Sequence, residues 1–170
     1  IDRRAARRGG PTRFIAMGHI RDVKDPLTLA RAASRLRDAP IEVEHLGAFL
    51  DPDLGGQLRR LAQDCPAYRL LGGLPHEQAL AHLRTADALV HPSKMEGGAN
   101  AVIEAVCAGI PVLASAIGDD ERLAAMMRRF ASDQAFGARL RGQLDALRGR
   151  FAPEREAAAV RALVEGRVNA

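Results

Sequence analysis

Short apolar, β-prone runs alternate along the chain with longer segments of helical periodicity. That alternation restricts the fold to a parallel sheet covered on both faces, because parallel strands need crossover connections and helices supply them. RFIAM at Arg13–Met17 reads as a buried strand and is followed by the loop GHIRDVKD. Pro26 then suits a first helical position behind an Asp25 N-cap, with Leu27, Leu29, Ala30 and Ala33 as the apolar stripe. Further strands are expected at Ile41–Leu46, Tyr68–Leu71, Ala88–His91 and Val112–Ser115. Between them lie helices at Leu54–Gln63, Glu77–Thr85 and Ala99–Ala108, the last stopped by Gly109 as C-cap. After Ser115 the rhythm changes to helices alone, at Asp120–Phe130, Gln134–Leu147 and Pro153–Val164. The expected fold is α/β: a Rossmann-like, doubly wound parallel sheet over 13–150, preceded by a basic linker at 1–12 and followed by a C-terminal helix at 151–170.

Composition narrows the function classes. At 170 residues, 47% apolar, the chain fills one core and is too short for two ordinary domains. It has no apolar run of membrane-spanning length and no signal-peptide core behind the basic start, so a cytoplasmic protein with no membrane span is expected. Cys65 and Cys107 lack metal-ligand spacing. The net charge of +4 could suggest nucleic acid, but the chain has one tyrosine, no tryptophan and no stacking platform. Of 25 cationic residues only Lys24 and Lys94 are lysines, and 21 acidic residues are mixed among the arginines, as on solvated helix faces. No nucleic-acid partner is expected.

In doubly wound folds ligands sit outside the carboxyl ends of the strands, which here means the loops Gly18–Asp25, Gly47–Asp53, Gly72–His76 and Pro92–Gly98. The segment HPSKMEGGANAVIEAV turns through Gly97-Gly98 into a helix, whose free backbone amides form an anion site. Glu96 and Glu104 flank it; as carboxylates they suit hydroxyl groups of a ribose and a sugar rather than phosphate. In the first loop, Lys24, Arg21 and His19 are candidate cations for a diphosphate. Asp51-Pro52-Asp53 resembles a metal-holding D-x-D but opens a helix, where N-capping explains it. His76 and His82 match no metal spacing and read as a helix-entry residue and a surface residue. No dinucleotide fingerprint, Walker lysine or nucleophile elbow is present in the sequence.

EGGANAVIE (Glu96 to Glu104) followed by AGIPVLAS (Ala108 to Ser115) resembles the E-x7-E signature of retaining family 4 glycosyltransferases. RFIAMG with Lys24 is similar to that family's phosphate loop, and Tyr68 to Ser93 to its base-binding strand, helix and following strand. The resemblance covers about Arg13 to Ser115. It implies the C-terminal, donor-binding half of a GT-B enzyme that needs no metal or other cofactor. By that resemblance, Lys24 and the Gly97 and Gly98 amides hold the diphosphate of a UDP-sugar, and Lys24 and Glu96 are the catalytic pair. Glu96, Gly97 and Gly98 meet the donor sugar, Glu104 the ribose hydroxyls, and the backbone near Gly73 and Leu74 the uracil. His19 stands where the family carries arginine, so His19 or Arg21 would supply the second phosphate cation. GHIRDVKDPLTLARAA with HPSKMEGGANAVIEAV looks most like the selenosugar synthases of selenoneine biosynthesis. That likeness implies transfer of a sugar from UDP-GlcNAc or UDP-Glc to selenophosphate, with the acceptor held mainly by an absent N-terminal half. A conventional transferase with a carbohydrate or small-molecule acceptor, a UDP-sugar 2-epimerase lacking identified acid/base residues, and a non-catalytic binding module are the alternatives. The family pattern also implies a chain break between Ala116 and Asp119, beside Ile117-Gly118, with a segment missing there.

Overall fold

The computed structural model describes residues 10–95, 99–115, 118–148 and 161–162. Five parallel strands, β1 (Thr12–Met17), β2 (Ile41–Leu46), β3 (Tyr68–Gly72), β4 (Ala88–His91) and β5 (Val112–Ala114), form one sheet in the order β3-β2-β1-β4-β5. The helices are α1 (Pro26–Ser34), α2 (Pro52–Gln63), α3 (His76–Thr85), α4 (Asn100–Ala108), α5 (Asp120–Ser132) and α6 (Gln134–Arg148). From β1 the chain steps outward twice and then returns to lay β4 on the other side of β1. Right-handed crossovers in opposite directions put helices on opposite faces.

Strand alternation divides the core accordingly. Phe14, Ala16, Ile41 and Val43 pack with residues of α1, α2 and α5, among them Leu29, Leu58, Leu123 and Met127. Ile15, Leu46 and Leu89 face the other way, onto Ala79 and Leu83 of α3 and Ala105 of α4. Every strand expected from the sequence is present within a residue at either end, and the sheet is the doubly wound parallel one.

Local signals explain most boundaries. Asp51 caps α2, its side chain accepting from Leu54 N at 3.0 Å, so the Asp51-Pro52-Asp53 segment is a helix entry as expected. Gly109 ends α4 at φ 74°, a conformation that glycine adopts without a Cβ penalty. Three details differ from expectation. The loop after β1 contains a 3-10 turn at Asp22–Lys24. Asp25 stands at the N-cap position of α1 but its side chain does not cap the backbone. It sits at φ 45° and accepts from the Thr28 hydroxyl at 2.8 Å and from Gly118 N at 3.0 Å. His82 is not merely a surface residue: its Nδ1 lies 2.8 Å from Oε2 of Glu44, a nearly buried carboxylate that also pairs with Arg69 and Arg13. Those cations compensate a charge that burial would otherwise penalise.

The chain break expected between Ala116 and Asp119 turns on Ala116 and Ile117, which lie outside the described residues, as do residues 1–9 of the expected linker. Of the expected C-terminal helix, Arg161 and Ala162 are described and helical.

Candidate functional site

The strand order reverses between β1 and β4, and there the two strands separate. Their register pairs Phe14 with Ala88 and Ile15 with Leu89. The next residues of both, Ala16 and Met17 with Val90 and His91, line a small cavity together with Gly18, Lys24, His45, Pro92 and Ser93. This is the crevice at the carboxyl ends where open α/β sheets receive ligands. Of the four loops that the sequence singles out, two contribute to it: Gly18–Asp25 through Gly18 and Lys24, and Pro92–Gly98 through Pro92 and Ser93.

Lys24 ends the 3-10 turn, and its stem lies over Gly18: a Cβ added there would stand 3.6 Å from both Cγ and Cδ of the lysine. His19 is exposed and its Nδ1 accepts from Ala48 N at 3.1 Å, so the proton of the neutral ring is on Nε2. Arg21 is exposed in extended backbone just ahead of the 3-10 turn. Lys24, Arg21 and His19 therefore share one loop at the crevice.

The loop after β4 is fastened to this one. Lys94 N donates to Val23 O at 2.9 Å, Ser93 Oγ to the same carbonyl at 3.1 Å, and Lys94 Nζ pairs with Asp22 Oδ1 at 2.5 Å. The hydrogen bond to Asp22 raises the Lys94 pKa above the ordinary lysine value. Lys94 is thus a brace between loops, and Lys24 is the lysine of the cavity wall.

Glu104 lies in the second turn of α4, and its Oε1 is 2.9 Å from Nε2 of His76, the first residue of α3. Among the described residues Glu104 has no other hydrogen-bond or ion-pair partner. Gly73 and Leu74 lie in the loop that leads from β3 to His76, with Gly73 exposed and Leu74 packed into the α3–α4 side of the core. Glu96, Gly97 and Gly98 lie outside the described residues.

Beneath the crevice, His45 and Tyr68 form a buried pair, with Nδ1 and the hydroxyl oxygen 2.6 Å apart. Burial lowers the His45 pKa from 6.5 to about 4, against a smaller opposing effect of a hydrogen bond to the Gly18 backbone. Burial raises that of Tyr68, and Cys65 adds to the rise. A neutral His45 therefore braces the floor of the loop that carries Lys24.

A family model described as Glycosyl transferases group 1 matches residues 1–128. The chain belongs to that family. A Rickettsia africae glycosyltransferase superposes on this group 1 chain with a TM-score of 0.77 at 13% identity, over 92% of this chain and 48% of its own. Anabaena HepE, solved in complex with UDP and glucose, gives 0.80 at 14% identity, over 94% and 49%. The catalytic domain of Helicobacter pylori cholesterol-α-glucosyltransferase gives 0.69 at 17% identity, over 84% and 99%. The group 1 chain spans about half the length of the first two, and its fold is that of a GT-B glycosyltransferase domain.

Among the described residues of this group 1 domain, no cluster of three or more His, Cys, Asp or Glu is placed to hold a metal ion. Nor is any described helix long and apolar enough to cross a membrane. Sequence reasoning missed His45 and His91, which line the cavity, and the contact of His76 with Glu104. A signal was available: of five histidines, His45 and His91 lie in the last two residues of a strand and His19 in the connection that follows one.

Proposed function

We propose that the protein transfers a hexose from a UDP-sugar, with retention of configuration and without a metal ion. The observation that carries this reading is the parting of β1 and β4, which opens the crevice beside Lys24 between two loops fastened together. A nucleotide diphosphate suits such a place, and the neighbouring fold of Anabaena HepE was solved with UDP and glucose. Lys24, with Arg21 or His19 and the Gly97 and Gly98 amides, holds the diphosphate. Glu104 accepts the ribose hydroxyls, Glu96 orients the hexose, and the backbone near Gly73 and Leu74 meets the uracil.

The chemistry asked of these groups is limited. As the anomeric C–O bond breaks, negative charge gathers on the departing diphosphate. Lys24 and the backbone amides assigned to the diphosphate stabilise that charge where it develops. Glu96 holds the sugar so that the acceptor meets the anomeric carbon. For the acceptor, the resemblance of Gly18–Ala33 and His91–Val106 to selenosugar synthases supports selenophosphate, with a carbon–selenium bond formed. A nucleotide-sugar donor also accords with a cytoplasmic location, and most acceptor contacts fall to a further N-terminal half. A conventional carbohydrate acceptor would use the same donor site.

Calorimetry with UDP, UDP-Glc and UDP-GlcNAc tests the donor, repeated after chelation to test the metal. Turnover by the whole protein, offered selenophosphate in one series and sugar acceptors in the other, tests the acceptor. Failure to bind UDP rejects the reading. Loss of binding on chelation rejects its metal-free form, and turnover with sugars alone rejects selenophosphate.

A further inference from the structure

The contact between His76 and Glu104 joins residues 28 positions apart, on two helices that pack on the same face of the sheet. It is not part of the core: the His76 side chain is 67% exposed and that of Glu104 25%. An exposed pair of this kind adds little to stability. It does restrict Glu104. A glutamate on a helix surface samples many rotamers, and a ligand that needs one of them must bear the ordering cost. Held by an imidazole N–H at Oε1, Glu104 is already ordered, and Oε2 has no described partner.

His76 is itself well placed to hold it. It is the first residue of α3, behind Pro75 at φ −53° and the loop Gly72-Gly73-Leu74. That loop is tied to the next one by Gly47 N, which donates to Gly72 O at 2.8 Å. No charged group need be formed for this role: a neutral imidazole with its proton on Nε2 donates to the carboxylate, and a protonated one does so too.

We propose that His76 is a positioning residue of the ribose subsite, fixing the Glu104 carboxylate so that it accepts the vicinal hydroxyls of a nucleotide's ribose. The inference rests on the reading of Glu104 given above. Gly73 and Leu74, assigned to the base, lie in the short connection that leads directly to His76, assigned to the carboxylate, at the start of α3. Base and ribose recognition are then set by the same stretch of chain.

The test is nucleotide discrimination by the full-length protein. UDP and 2′,3′-dideoxy-UDP are titrated into the wild type, His76→Ala and His76→Gln, with the melting temperature of each recorded. A charged acceptor facing ribose hydroxyls should favour UDP in the wild type by about tenfold or more. His76→Ala should weaken UDP and leave dideoxy-UDP unchanged, cutting that ratio to roughly threefold or less, as expected when preorganisation is lost. His76→Gln retains a side-chain N–H of similar reach and should restore most of the ratio. A ratio undiminished in His76→Ala overturns the proposal. So does an equal loss of both nucleotides accompanied by a lower melting temperature, which marks a structural link between α3 and α4. A wild type that binds UDP without discriminating removes the role of Glu104 and this inference with it. A wild type that binds no UDP removes the donor reading as a whole.

Discussion

Gly47 and Gly18 meet backbone to backbone: a Cβ added at Gly47 would collide with the Gly18 carbonyl oxygen and crowd the Cα of His19. The two loops at the carboxyl ends of β1 and β2 are therefore in direct contact below the crevice. Gly18 N donates to Leu46 O at 2.9 Å and Ile20 N to Ala48 O at 2.9 Å, which holds them together on either side of the contact.

Gly47→Ala should consequently be disruptive although it adds a single methyl group. The clash is with backbone, which cannot rotate away, and such overpacking costs about 1–3 kcal/mol. Displacing Gly18 also shifts Lys24, whose stem rests on it. Chemical denaturation should report the stability loss, and UDP affinity should fall with it. Wild-type values for both would contradict the close approach.

Asp25 links two further segments by accepting from the Thr28 hydroxyl and from Gly118 N, 93 residues away. Its left-handed φ of 45° is one that Asn and Asp tolerate better than other non-glycine residues. Asp25→Asn keeps an acceptor and the conformation and should cost little. Asp25→Ala strands both donors and should cost about 1–3 kcal/mol for each one left buried. Equal unfolding curves for the two variants would show that neither bond matters.

The sheet was legible because strand alternation, helix periodicity and caps are local. Asp51 and Gly109 do what their positions suggest, since a cap depends only on neighbours along the chain. Asp25 was legible only in part: its place ahead of Pro26 is local, but its partner Gly118 comes from the far end of the fold. Glu44 shows the same limit. EVEHL alternates charge with apolar residues as a half-exposed strand would, yet the Glu44 side chain is 10% exposed and is met by Arg13, Arg69 and His82 from three other elements. In the site, glycine turns and strand ends marked the loops, but nothing local says that α3 delivers His76 to Glu104 or that Lys94 braces Asp22.

Within the proposed donor site, loss of Glu104 and loss of Lys24 should be separable. Glu104→Ala removes hydrogen bonds to a charged acceptor, worth about 1.5–3 kcal/mol each, and should weaken UDP with little dependence on ionic strength. Lys24→Ala should weaken UDP most in dilute buffer, because the lost attraction is the screened one. Glu96→Ala should reduce turnover far more than UDP affinity, its assigned partner being the hexose. Titrations of UDP at two salt concentrations, with turnover by the whole protein, distinguish the three. Unaltered UDP affinity in Glu104→Ala would remove its assignment.

The buried His45 should make the fold sensitive to mild acid. Its pKa is about 4 in the folded protein against the ordinary 6.5. Between those values the unfolded chain binds a proton that the folded chain does not, so protonation favours unfolding. The stability of the native state is unaffected by this group above pH 6.5 and falls progressively as the pH drops toward 4. At 1.36 kcal/mol for each pH unit, the full interval amounts to about 3 kcal/mol. His45→Gln cannot titrate and can still meet the Tyr68 hydroxyl. It should show a flatter dependence of unfolding free energy on pH across that window, whatever its stability at pH 7. Denaturation curves taken at several pH values from 7 down to 4 measure the slope directly. An identical slope in wild type and His45→Gln would mean that the acid sensitivity arises elsewhere.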